Sequence, residues 1–255
     1  MRGSTVLLAA VVLVLGAMAA GAYPTLGGAT GLVTLPTAEV APAGMVDLAV
    51  DYQKTEAAGI ELKLWPARAV AGLAKNAELW FGYNRMNGNS EDATLWNGGA
   101  KYAFLQEPKD KVSLAIGGSL GRLENDGHMN EASAFLVASK NLGKEKSAGE
   151  QPSARLSAGL VWLKFGDPAD YDFTKPFLGV EVFGKAGGSL ALEYRFKDDG
   201  ADLEAPFSSV LRYPLGGVGA PLWVEVGTTN AAFESLGNDE SDFFVGVGYR
   251  FGTAK

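Results

Sequence analysis

The stretch near the C-terminus alternates without a break: Phe243, Val245, Val247, Tyr249 and Phe251 fall on one face, while Phe244, Gly246, Gly248 and Arg250 fall on the other. A period of two marks a β-strand, because successive side chains of an extended backbone point to opposite sides. The same rhythm recurs along the chain. Leu190, Leu192, Tyr194 and Phe196 oppose Ser189, Ala191, Glu193 and Arg195, and Leu178, Val180 and Val182 oppose Gly179 and Glu181. Val112, Leu114, Ile116 and Leu120 oppose Ser113, Ala115, Gly117 and Ser119, and Ala154, Leu156, Ala158, Leu160 and Trp162 oppose Arg155, Ser157 and Gly159. One face is greasy and the other is small, polar or charged. Such a second face does not suit the dry interior of a β-sandwich, although a secreted soluble β-protein with an aromatic core is the competing architecture.

Strands are expected near 44–53, 59–65, 77–85, 93–105, 111–122, 131–141, 153–165, 175–185, 188–197, 206–213, 220–229 and 242–252. That is about twelve, an even number as single-chain bacterial barrels require, with ten or fourteen also compatible. The expected fold is all-β: a closed antiparallel transmembrane up-and-down β-barrel formed by residues 44–255. Closure follows from the solvent. An open strand edge in hydrocarbon leaves N–H and C=O groups unpaired at several kcal/mol each. Tyr52, Trp65, Tyr83, Tyr102, Phe104, Tyr194, Tyr213, Tyr249 and Phe251, near strand ends, suit interfacial girdles.

The N-terminus supplies an address. Arg2 precedes an apolar run over residues 5–20, followed by Ala20, Gly21 and Ala22. A basic start, an apolar core and a small-x-small site are the three parts of a secretory signal, with cleavage expected after Ala22. Later in the chain, charges, Gly or Pro interrupt every stretch long enough to cross a bilayer as a helix. The expected location is the outer membrane of a Gram-negative-type cell, with membrane lipid and lipopolysaccharide as the first partners.

Composition excludes several classes. There is no cysteine, hence no disulfide, thiolate metal site or cysteine nucleophile. The formal charge is −7, and removal of a leader takes Arg2 but no acid. An acidic chain is a poor match for nucleic acid. The only histidine, His128, lies with Asn125 and Asp126 in an expected loop, without a G-x-S-x-G elbow or a second histidine. It reads as a solvated residue, so no catalytic residue, metal site or cofactor is expected. The glycines at 27, 28 and 31 and at 216, 217 and 219 lack the strand-then-helix context of a phosphate loop and read as turns or bulges.

With a periplasmic N-terminus, the odd-numbered connections face outward. They hold the acidic runs 85–92, 123–131, 166–172, 197–204 and 234–242. The even connections hold Arg68, Lys75, the mixed 107–111 and 144–150 runs, Lys185 and the turn after Pro214, and are balanced or slightly basic. An acidic rim either is simply solvated or meets lipopolysaccharide phosphates through divalent cations. Parity also turns a set of charges inward: Glu61, Lys63, Lys101, Arg155, Glu181, Glu193, Arg195, Arg212, Glu225 and Arg250. Both signs occur. The ladder either braces a filled barrel or lines a narrow polar conduit.

Residues 23–43 carry Pro24, Pro36 and Pro42 with Gly27, Gly28 and Gly31, which argues against one regular element. The segment is expected as a plug in the lumen or as a cover across the periplasmic mouth. It contains Thr30-Gly31-Leu32, then Pro36-Thr37-Ala38, with Gly44 before the first strand. This opening resembles that of YjbH-type outer-membrane proteins, in which a T-G-L-x-x-x-P-T-A segment precedes the first strand. Asn97–Tyr102, Phe177–Glu181 and Ala191–Tyr194 are similar to strand signatures of that family. The resemblance implies a short, non-enzymatic member: a β-barrel associated with exopolysaccharide production or export, with polysaccharide or envelope proteins as partners. It carries no catalytic residue. A small-solute channel and an outer-membrane enzyme are the rival functions.

Overall fold

In the computed structural model the described residues are 23–57, 60–88, 92–107, 112–125, 128–143, 153–166, 170–196, 205–217, 220–230 and 242–252. The expected signal peptide and its cleavage point after Ala22 lie outside them, as does most of the sequence of the acidic connections. Among the described residues no helix is long and apolar enough to cross a membrane, which says nothing about crossing by strands.

Twelve strands form one closed antiparallel barrel in which every strand pairs with its neighbours in sequence. They are β1 (Val46–Ala57), β2 (Ile60–Ala74), β3 (Ala77–Asn87), β4 (Asp92–Leu105), β5 (Ser113–Glu124), β6 (His128–Leu142), β7 (Ala154–Phe165), β8 (Tyr171–Phe183), β9 (Ser189–Arg195), β10 (Phe207–Pro214), β11 (Leu222–Thr229) and β12 (Asp242–Phe251). The seam joins β1 to β12, from Val46 opposite Phe251 to Gln53 opposite Phe244. The start of β1, the end of β12 and the even connections share one rim, called the near end below.

Two expectations need correction. β2 does not stop at residue 65 but runs on to Ala74, so Arg68 belongs to the wall and not to a connection. Pro66 made the strand look finished, because proline has no N–H to give to a ladder. Its effect is local. The β1–β2 register skips Asp51 and Tyr52, opposite Pro66 and Trp65, and resumes unchanged on both sides. His128 likewise begins β6 and does not sit in a loop, though it is exposed.

Alternation sorts the side chains as the pattern requires. Leu120 and Phe243 on the outer face are 69% and 74% exposed, and Ile116, Val245 and Leu178 are also strongly exposed. Trp65, Tyr83, Tyr102, Phe104, Tyr194, Tyr213, Tyr249 and Phe251 are exposed on that face as well. In water a continuous apolar belt of this kind would forfeit roughly 25 cal/mol for each Å² left uncovered, so it calls for an apolar surrounding.

The inner face is built around close approach. Trp80 stands directly opposite Gly99, Phe135 opposite Gly117, Phe177 opposite Gly159, and Phe244 and Trp223 opposite Gly227 and Gly248. A Cβ on any of these glycines would lie within 2.7 Å of the facing ring. The missing side chain is the space in which the aromatic lies.

Candidate functional site

The inner wall encloses the N-terminal segment. Residues 23–43 form no strand of the barrel. They fold back on themselves through bridges Pro24–Thr30 and Gly31–Pro36, with a tight turn in which the Leu32 N–H donates to the Leu35 carbonyl at 2.9 Å. Gly31 permits that turn, since a Cβ there would lie 2.3 Å from the Leu35 oxygen. Leu32, Val33, Leu35, Thr30, Thr37, Ala38 and Ala41 are all buried. Of the two placements open to the sequence, the lumen is the one observed.

Charged side chains of the wall hold this segment by its backbone. The Glu193 carboxylate on β9 accepts the N–H groups of Val33 (2.9 Å), Thr34 (2.9 Å) and Leu35 (3.1 Å), together with the Thr34 hydroxyl. Three successive amides converging on one anion form a backbone nest. On β3, Glu78 accepts the N–H of Thr30 at 2.9 Å and of Ala41 at 2.7 Å, and pairs with Lys101 of β4 at 3.0 Å. Lys101 in turn donates to the carbonyls of Thr30 (2.8 Å) and Thr37 (3.2 Å). Arg212 of β10 donates to the carbonyls of Gly31 and Leu32. A segment too rich in proline and glycine to pair with a sheet thus has its polar backbone satisfied by side chains.

The same charges are joined to one another. Arg68 lies between Asp51 and Glu225, and Glu225 also receives Arg212 Nε at 3.0 Å. Arg212 reaches Glu181 at 3.9 Å, Glu181 receives Arg155 at 3.2 Å, and Arg155 lies 3.6 Å from Glu39 of the inserted segment. Arg250 closes the seam onto Asp47 at 2.7 Å. Both guanidinium groups, Arg212 and Arg250, also lie over the ring of Tyr23, which packs edge-on against Trp223. Gly246 of β12 lies opposite both Asp51 and Glu225, which lets Glu225 approach the Arg68–Asp51 pair; a Cβ there would sit 1.8 Å from Asp51 Oδ1.

Of the charges expected inside, Lys101, Arg155, Glu181, Glu193, Arg195, Arg212 and Glu225 are buried, and Arg250 is largely so. Glu61 and Lys63 are not inside. They lie on the outward parity at the rim of β2, exposed and paired with each other, and Glu61 also meets Lys54. The inward positions of β2 are Leu64, Pro66, Arg68 and Val70. An apolar inward Leu64 and a strand cut short at the proline reversed the assignment. Asp47, Asp51, Arg68, Glu78, Lys175 and Asp242 were missed, and all are buried. Asp47 and Asp51 were within reach, because they share the parity of Ala49 against Leu48 and Val50.

Among the described residues no group of three His, Cys, Asp or Glu is placed to hold a metal ion. His128 stands exposed at the far rim. Among the described residues the buried acids and bases occur in nearly equal number, and Asp47, Asp51, Arg68, Glu78, Lys101, Arg155, Glu181, Glu193, Arg212 and Glu225 hold one another, Arg250 at the seam, or the inserted backbone. The arrangement can fix a peptide in a barrel with a defined register.

No family model matches the chain, and no curated protein matches it. Its fold does match solved structures. A KdgM porin aligns with a TM-score of 0.54 at 15% identity, covering 82% of this chain and 99% of that one. The same porin in complex with disordered oligogalacturonate aligns at 0.52. The β-domain of the Bordetella autotransporter BrkA aligns at 0.50 with 13% identity, covering 82% and 100%. The architecture is therefore that of Gram-negative outer-membrane barrels: closed, antiparallel and twelve-stranded.

Proposed function

We propose that this protein is a non-enzymatic outer-membrane barrel that serves exopolysaccharide production or export, or the structure of the envelope, with its lumen occupied in the resting state by its own N-terminal segment. The observation that carries the proposal is the division of the wall: an exposed apolar belt outside, and inside it a backbone segment gripped by buried charges. Membrane lipid is the natural partner of the first surface. The second surface is already engaged, in contrast to the open water-filled lumen of a porin.

The polysaccharide link rests on the resemblance of residues 30–38 to the opening of YjbH-type proteins, and those are the residues the wall holds most closely. A small-solute channel suits the same fold. The two readings separate on deletion of the gene. A fall in surface polysaccharide, measured as exported hexose, supports the first; unchanged polysaccharide with slower uptake of small sugars replaces it with the second. The membrane part is tested on its own. The protein is expected in the detergent-extracted outer-membrane fraction, running faster on a gel unheated than boiled. A monodisperse β-protein in buffer without any amphiphile would overturn it.

A further inference from the structure

We infer that residues 23–43 are a displaceable gate, that Glu193 is one of its latches, and that the barrel conducts small ions when the gate is released. The inference rests on the outer-membrane reading above and adds an activity to it. Three observations carry it. First, the wall is complete without the segment: all twelve strands are paired in a ring, and among the described residues the one bridge from the segment to a strand is Ala43 with Gly72, at the near rim. Removing the segment breaks no ladder.

Second, most wall charges keep partners on the wall itself. Arg68 has Asp51 and Glu225, Arg212 has Glu225, Arg155 has Glu181, Lys101 has Glu78 and Arg250 has Asp47. Glu193 differs, since it accepts four donors from the turn Leu32–Leu35. Glu78, Lys101 and Arg212 grip the segment as well but keep a wall partner when it leaves, so Glu193 is the charge whose partners depend on the segment being in place. Third, the segment joins β1 through Gly44, whose φ of +79° is a glycine conformation and whose missing Cβ would face open space. A pivot is already in place where the segment meets the wall.

The near balance of buried acids and bases predicts an open state of weak charge selectivity, suited to small hydrophilic solutes of either sign. The test is single-channel recording in planar bilayers with potassium chloride. Wild-type protein is expected to be nearly silent, Glu193→Ala to show discrete openings at least tenfold more frequent, and a variant lacking residues 24–42 to conduct continuously. The natural absence of cysteine allows a clean control. Ala38 donates its N–H to Ser139 Oγ at 2.9 Å, so an Ala38→Cys, Ser139→Cys pair bridges gate and wall. In the Glu193→Ala background the oxidised pair should silence the openings, and reduction should restore them.

Should the shortened variant fail to fold, as judged by loss of heat-modifiable mobility, the tethered pair decides alone. Folded variants as silent as wild type, or openings indifferent to the tether, would overturn the gate while leaving the barrel intact. A protein without heat-modifiable mobility in any form would instead remove the outer-membrane reading beneath it.

Discussion

The two sides of the lumen hold the same segment by different physics. On β3 to β7 the contacts are mainly apolar: Trp80, Ala103, Ala115, Phe135, Val137 and Val161 pack against Ala29, Leu35, Ala38 and Ala41. From β7 through the seam to β2 a smaller apolar contact, Leu32 and Val33 on Ala191, Val210 and Phe244, is joined by a charge network in which Arg155, Glu181, Glu193, Arg212, Glu225, Asp51 and Arg68 meet one another or the plug backbone. Glu78 and Lys101 are the ionic outpost on the apolar side. Apolar burial rewards any arrangement that excludes water, whereas a carboxylate under three amides accepts one arrangement. The apolar side contributes cohesion and the ionic side fixes the register.

Substitutions can break that contrast, and unfolding by urea from lipid vesicles, followed by gel mobility, measures each. Arg212→Met should have the largest effect, a loss of about 4 kcal/mol, because a buried cation is removed from two acids and two plug carbonyls. A loss below about 1 kcal/mol would show that the ionic side is ornamental. Gly246→Ala should cost about 2 kcal/mol, since its methyl group meets Asp51 and pushes apart the acids that share Arg68. Phe135→Leu, on the apolar side, should cost only about 1 kcal/mol, because a similar volume repacks against Trp80 and Gly117. An effect as large as that of Arg212→Met would erase the distinction between the sides. Lys63→Ala and His128→Ala, at exposed rim positions, should leave the unfolding curve in place.

Much of the barrel was legible because lipid outside and polar groups inside impose a strict period of two. β12, with Phe243 to Phe251 on one side and Phe244 to Arg250 on the other, could be assigned residue by residue. β2 shows where that logic stops. Pro66 resembles a terminator, yet a strand held on both sides tolerates two missing pairs, and Leu64 looks like a lipid-facing residue but packs inside. The inward set Glu181, Glu193, Arg195 and Arg212 followed from parity. Their partners did not, because Glu193 meets Val33 across 160 positions of chain and parity carries no information on such a contact. The inserted segment was recognisable as irregular from Pro24, Gly31, Pro36 and Pro42. Its depth was set by carboxylates on other strands.

The seam has a consequence for biogenesis. The segment in the lumen lies immediately before β1, and β1 closes on β12, the last strand of the ring in sequence. The ring cannot shut until β12 is in place, and Asp47 receives Arg250 only then. Joining the two extremes of the polypeptide pays its loop-closure entropy in a single late step. A barrel short of β12 leaves the free edge of β1 unpaired and the segment in the lumen inside an open wall.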